Sequence, residues 1–191
     1  MKYILNYIYH LFNILWSNFY WRGYRKEYHL KYSDTIGEKN VVEFVAEVAH
    51  RMFKKFKYKA DGSEELGDTC PPPAEMYADF CECDTFSDDC DGFHAGLYHV
   101  LRKNGIPCYL LSIISAKNGY GHCVVAYEYD GKTYIQDYLD SYDGVSLYDV
   151  VKKFYMGRTG GKAMLYAQNF DYARGKYRNK KLDVKTVERE A

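Results

Sequence analysis

The sequence predicts an α+β fold in which a helix that begins at a cysteine packs on an antiparallel β-sheet. Residues 90–104 place apolar side chains at helical spacing, and residues 108–116, CYLLSIISA, form a β-branched run with the length of a buried strand. Residues 122–140 place Asp130 and Gly131 between two runs rich in tyrosine and valine, which is a strong β-hairpin signal. A hairpin pairs two neighbouring strands antiparallel, so the predicted domain combines a helix with an antiparallel sheet.

Composition narrows the class of protein. A chain of 191 residues with 47% hydrophobic residues and 22 tyrosines is globular, with one domain or at most two small ones. The 26 basic and 26 acidic residues cancel, so no nucleic-acid partner is expected. Six cysteines are too few for a disulfide scaffold, which favours a reduced cytoplasmic setting. No cofactor is expected.

The first twenty residues carry no charge between Lys2 and Arg22. Four polar residues nevertheless repeat at steps of four, three and four, which places a polar stripe on one side of a helix: Asn6, His10, Asn13 and Ser17. This segment is therefore predicted to pack on its own domain or on a protein partner. Peripheral contact with a membrane surface is the second interpretation.

Three regions follow from these segments. Residues 1–37 are an amphipathic helix with a basic linker, residues 38–170 are the folded domain, and residues 171–191 are a charged tail. Within the domain, further helices are predicted over 38–57, from Pro73, and over 146–157. Residues 162–170 are predicted to form an edge strand.

Cys90 lies in the stretch DDCDGFH, at the start of the central helix. Asp88 or Asp89 is a natural N-cap, and Cys90 shares an apolar stripe with Phe93 and Leu97. Unpaired backbone N–H groups at a helix start stabilise a thiolate and lower its pKa. The neighbouring aspartates act in the opposite direction, so a thiolate at Cys90 needs a cationic partner.

The hairpin supplies that partner. A two-residue loop pairs Tyr129 with Lys132, and the same register brings Asp137 opposite Val124 and diagonal to His122. The face that carries His122 and Asp137 is otherwise apolar, with Val124, Ala126, Ile135 and Leu139, and we expect the Cys90 helix to cover it. In such a trio the imidazole takes the thiol proton and the carboxylate fixes the ring tautomer.

The stretches DDCDGFHAGLYHVLRKNGIPCYLLSI and GHCVVAYEYDGKTYIQDYLD resemble the transglutaminase-like cysteine protein superfamily, and PPPAEMYADF resembles the lead-in of its bacterial and phage cysteine peptidases. The resemblance implies a papain-like α+β core, with Cys90 as nucleophile, His122 as base and Asp137 as orienting acid. It also implies a peptide or protein substrate and a cytoplasmic or phage-associated protein. Gly92 and His94 depart from the family, where many members have an acid and an alanine.

The sequence leaves two alternatives open. The first alternative is a zinc site, for which potential ligands cluster within 25 residues: Cys70, Cys81, Cys83, Cys90 and His94. Paired C-x-x-C knuckles are absent, which favours the catalytic interpretation. The other alternative is a transglutaminase-like binding protein without turnover. Among catalytic functions, peptidase or amidase action is preferred over crosslinking.

Overall fold

The computed structural model describes residues 31–59, 71–115, 121–156 and 163–182, together with Ile8, Phe12 and Leu15. Those three N-terminal residues are helical, and each is more than half exposed. The polar stripe predicted from Asn6 to Ser17 lies outside the described residues. None of the described helices has the length and hydropathy of a membrane span.

Four helices and eight strands have their bounds within the described part of the chain. In chain order they are α1 (Val41–Lys55), β1 (Phe56–Tyr58), α2 (Pro73–Glu82), β2 (Phe86–Asp88), α3 (Cys90–Lys103), β3 (Cys108–Ser115), β4 (Gly121–Tyr129), β5 (Lys132–Asp137), β6 (Asp140–Gly144), α4 (Leu147–Met156), β7 (Ala163–Asp171) and β8 (Lys176–Lys181). The helices predicted over 38–57, from Pro73, from Cys90 and over 146–157 are all present.

The main sheet has six strands in the order β6-β5-β4-β3-β7-β8, and every neighbouring pair is antiparallel. Strands β1 and β2 form a separate parallel pair. The predicted α+β class, with the cysteine-bearing helix packed on an antiparallel sheet, is confirmed. Strand β7 is internal and not at the edge as predicted, because the lysine-rich β8 pairs along it. A charged strand suits an edge, where lysines discourage pairing with another chain.

The hairpin has the predicted register. Its ladder runs from Tyr129 opposite Lys132 to Val125 opposite Gln136. Asp130 and Gly131 have φ values of 49° and 69°, the left-handed conformations that a two-residue hairpin loop requires.

The two faces of the sheet are covered by different helices. Helix α3 lies with α1 and α2 on the face that carries Leu110, Cys123 and Val125. Helix α4 covers the opposite face, which carries Val124, Ala126 and Ile135. The expectation that the Cys90 helix covers this second face is therefore wrong. Residues 91–101 of α3 are buried on all sides, because this helix lies between the sheet and the other two helices.

Residues on both sides of 38–170 contact the core or the main sheet. Upstream, Tyr32 and Ile36 pack against the core, and the Ile36 N–H donates to the Asn104 side chain at 2.9 Å. Downstream, β8 belongs to the main sheet, so the charged tail predicted from residue 171 includes a strand. Strand β8, KYRNKK, has one large apolar side chain, the buried Tyr177, and its other residues are as typical of a solvated chain as of an edge strand.

Candidate active site

Cys90 is the first residue of α3 and is partly buried. Asp89 is the N-cap, and its carboxylate accepts a hydrogen bond from the Asp91 N–H at 2.9 Å. This cap fixes the first helical turn, so the thiol lies where the positive end of the helix dipole acts. The predicted position of Cys90 at a capped helix start is thus observed.

Negative charge also collects at this turn. Carboxylate oxygens of Asp88, Asp89 and Asp91 lie within 4.8 Å of one another. The Asp88 carboxylate accepts from the Asp89 N–H at 2.8 Å and lies against Gly92. Nearby carboxylates oppose formation of a thiolate, so a cation beside the sulfur remains necessary for a reactive Cys90.

Gly92 is required by this packing. A Cβ at position 92 would lie 2.6 Å from the Cβ of Asp88, which is closer than real side chains allow. We expect Gly92→Ala to lower the free energy of unfolding by about 1–3 kcal/mol, since the Asp88 turn must shift. Urea denaturation measures this change. Gly121→Ala is the matched control, because a Cβ there meets nothing within 4 Å. Equal stabilities of the two variants would contradict the expectation.

His122 and Asp137 form the contact that the hairpin register predicted. The distance between His122 Nε2 and Asp137 Oδ1 is 2.9 Å, the Asp137 side chain is fully buried, and the His122 side chain is 20% exposed. Because a carboxylate only accepts, Nε2 carries the proton and Nδ1 carries the lone pair. Nδ1 is therefore the nitrogen that can receive a proton from a thiol.

The Cys90 sulfur lies against the strand that carries His122. The backbone N–H of Cys123, the next residue, donates to Cys90 Sγ at 3.4 Å. The His122 ring stacks near Phe154 of α4 at 6.2 Å between centroids, and on another side it lies 6.2 Å from His94 of α3. The site thus lies at the start of β4, between the helices that cover the two sheet faces, and not on one face as the sequence suggested.

His94 is part of this site, although the sequence indicated it only as a departure from the family and a zinc ligand candidate. It lies one helical turn after Cys90, and its side chain is fully buried. Nδ1 is 2.5 Å from the Cys90 carbonyl oxygen, and the Tyr138 N–H donates to Nε2 at 3.1 Å. Burial lowers the pKa of His94 to about 4, against the opposing effect of Asp137. His94 is therefore neutral at physiological pH.

Tyr138 is the second residue that sequence reasoning missed. Its φ is 50°, which is strained for a side chain of this size. The ring lies 4.9 Å from both Phe93 and His94, and its hydroxyl is buried without a hydrogen-bond partner in the described residues. Burial raises the pKa of Tyr138, and the charge of a Cys90 thiolate raises it further. No sequence motif distinguishes Tyr138 from the other tyrosines.

The residues proposed for zinc do not assemble. Cys81 and Cys83 are exposed, and the group of three potential metal ligands within the described ranges contains aspartates alone. Cys70 lies outside those ranges. His94 is already hydrogen-bonded through both ring nitrogens. The described residues therefore do not support a zinc site that combines Cys81, Cys83 and Cys90.

Comparisons with known proteins give a distant structural similarity. No protein-family model and no curated protein matches the chain. Among solved structures, Legionella pneumophila LapG is 17% identical with a TM-score of 0.40, and the match covers 67% of this chain and 74% of LapG. EGTA-treated Legionella pneumophila LapG gives the same identity and TM-score, with 72% of that chain covered. The chemistry of the site is therefore argued from the geometry of this chain.

Proposed function

We propose that this protein is a thiol-dependent hydrolase or acyltransferase that acts on amide bonds, with Cys90 as nucleophile, His122 as base and Asp137 as orienting acid. The 2.9 Å hydrogen bond between His122 and Asp137, beside a sulfur at a helix start, is the observation that carries this proposal. This hydrogen bond leaves His122 Nδ1 unprotonated at the start of β4, and the Cys90 sulfur lies against the same strand.

The first half of the reaction forms a thioester. The Cys90 S–H proton moves to His122 Nδ1, and the imidazolium supplies the positive charge that the aspartates make necessary. The N–H of Cys123 and the helix dipole stabilise the thiolate. The thiolate attacks the amide carbonyl carbon, and the Nδ1 proton then passes to the leaving nitrogen as the C–N bond breaks.

The second half releases the acyl group. His122 Nδ1 removes a proton from water or from an amine, which attacks the thioester carbonyl, and the proton returns to the Cys90 sulfur as the C–S bond breaks. The His122 side chain is 20% exposed, so solvent water reaches the base. We therefore propose hydrolysis of a peptide or protein substrate as the main reaction, ahead of transfer to an amine.

The test is the alkylation rate of each cysteine by iodoacetamide against pH, followed by mass spectrometry in wild type and in His122→Ala. We expect Cys90 at pH 6 to react at least about tenfold faster than exposed Cys83, and to lose about tenfold in rate in the variant, because a lower thiol pKa enlarges the thiolate fraction.

Other cysteines of the chain provide the controls. Burial raises the pKa of Cys108 to about 12, so its thiol reacts slowly throughout. Cys81 is an exposed residue, but partial burial of its thiol and the charge of Asp34 raise its pKa. If Cys90 reacts no faster than Cys83, or if His122→Ala leaves its rate unchanged, the catalytic proposal is wrong, and a binding protein that lacks turnover takes its place.

A further inference from the structure

We infer that His94 is a positioning residue, which fixes Asp137 relative to the Cys90 helix by bridging the Cys90 carbonyl and the Tyr138 amide. This inference rests on the proposed function, because positioning has a chemical consequence only if Cys90, His122 and Asp137 react as a unit. It adds to that trio a residue on α3 itself, one turn beyond the nucleophile.

The hydrogen bonds determine the tautomer of His94. The Tyr138 N–H can only donate, so Nε2, at 3.1 Å, is the ring nitrogen without a proton. The other nitrogen, Nδ1, then carries the proton and donates it to the Cys90 carbonyl oxygen at 2.5 Å. Full burial keeps the ring neutral, with its pKa near 4, so both bonds persist across the working range of a thiol enzyme.

This bridge joins two elements that lie far apart along the chain. The Cys90 carbonyl belongs to the first turn of α3, whereas Tyr138 directly follows Asp137, where the pairing of β4 with β5 has already ended. The chain at Tyr138 has a φ of 50°, so its backbone needs a partner that holds this strained conformation. Gln136 Nε2 donates to the Tyr138 carbonyl oxygen at 2.8 Å, and His94 accepts from the Tyr138 N–H, which ties this turn to the helix that carries the nucleophile.

The same tautomer also preserves the His122 contact. Asp137 Oδ1 lies 2.9 Å from His122 Nε2 and 3.8 Å from His94 Nε2. With no proton on Nε2, His94 cannot donate to Asp137 and does not compete with His122 for the carboxylate. A protonated His94 would offer a second N–H to the same oxygen.

Two substitutions of His94 each preserve one of the two hydrogen bonds of the bridge. In His94→Gln the side-chain oxygen replaces Nε2 as acceptor for the Tyr138 N–H, whereas in His94→Asn the side-chain NH₂ replaces Nδ1 as donor to the Cys90 carbonyl. We measure the pH profile of Cys90 alkylation by iodoacetamide in both folded variants, with Cys83 as internal reference. Positioning of Asp137 through Tyr138 predicts that the Gln variant stays within about threefold of wild type and that the Asn variant loses roughly tenfold.

Equal Cys90 alkylation rates in the Gln and Asn variants, whether both normal or both reduced, would overturn the inference. A histidine with a merely structural role would not make the bond to the Tyr138 N–H matter more than the bond to the Cys90 carbonyl. Should neither variant fold, ¹⁵N NMR of wild-type His94 decides: a protonated Nδ1 with bare Nε2 supports the bridge, and the opposite tautomer or an imidazolium contradicts it. Failure of the proposed function is recognised separately, since it leaves Cys90 alkylation unchanged in His122→Ala.

Discussion

Replacing Cys90 by alanine is expected to abolish amide-bond cleavage, with a loss of roughly a thousandfold or more relative to wild type. The reason is chemical: without the sulfur no thioester forms, and His122 and Asp137 have no nucleophile to activate. Cys90→Ser is expected to lose nearly as much. A serine hydroxyl does not ionise at neutral pH beside the carboxylates of Asp88 and Asp89.

The measurement uses two probes in parallel. Release of dye from fluorescein-labelled casein reports hydrolysis, and incorporation of a dansylated alkylamine into casein reports transfer. Cys83→Ala is the matched control, because it removes an exposed thiol and should retain wild-type rates. Cleavage that persists unchanged in Cys90→Ala would refute the assignment of the nucleophile. The ratio of the two signals in wild type shows whether water or an amine resolves the thioester.

The second large effect is a loss of stability in acid that His94 causes. Its pKa falls from an ordinary value near 6.5 to about 4 on folding, because the ring is buried. Above pH 6.5 the imidazole is neutral in the folded and unfolded chains, and the full stability is present. Between pH 6.5 and pH 4 only the unfolded chain binds the proton, so falling pH favours unfolding. Below pH 4 both states are protonated, and the contribution has been lost.

This shift corresponds to about 3 kcal/mol of unfolding free energy, lost as the pH falls from 6.5 to 4. Urea denaturation at pH 7.5, 6, 5 and 4 measures it in wild type and in His94→Gln. The variant has no titrating group at this position, so its stability should decline less over the same interval, and the difference between the two curves isolates His94. Parallel curves would show that His94 titrates normally in the folded protein.

Local rules in the sequence were sufficient for much of the site. The Asp130 and Gly131 loop fixed the hairpin register, and the period of two along its strands then brought His122 to Asp137. A capping aspartate beside an apolar helical stripe located the start of α3 at Cys90. Each of these features depends on residues that are close along the chain or paired through a tight turn.

The edge strands of the main sheet were less predictable. Apart from Tyr177, strand β8 has only charged and polar residues, which are as typical of a solvated chain as of an edge strand, so the sequence predicts β7 as the edge. The short strand β6 follows Asp137 by only a few residues and has no apolar alternation of its own. Such strands form because a neighbouring strand offers unpaired backbone groups, which is information that their own residues do not carry.

The sequence by itself determined the helix start at Cys90, the hairpin and the pairing of His122 with Asp137, because turn and cap chemistry act over a few residues. Only the tertiary structure decided which helix covers which sheet face. Val124, Ala126 and Ile135 on one face are as apolar as Cys123, Val125 and Tyr127 on the other, so periodicity cannot choose between them. Tertiary packing likewise decided the lowered pKa of His94, since a histidine stays neutral down to about pH 4 only where the surrounding layers exclude water from it.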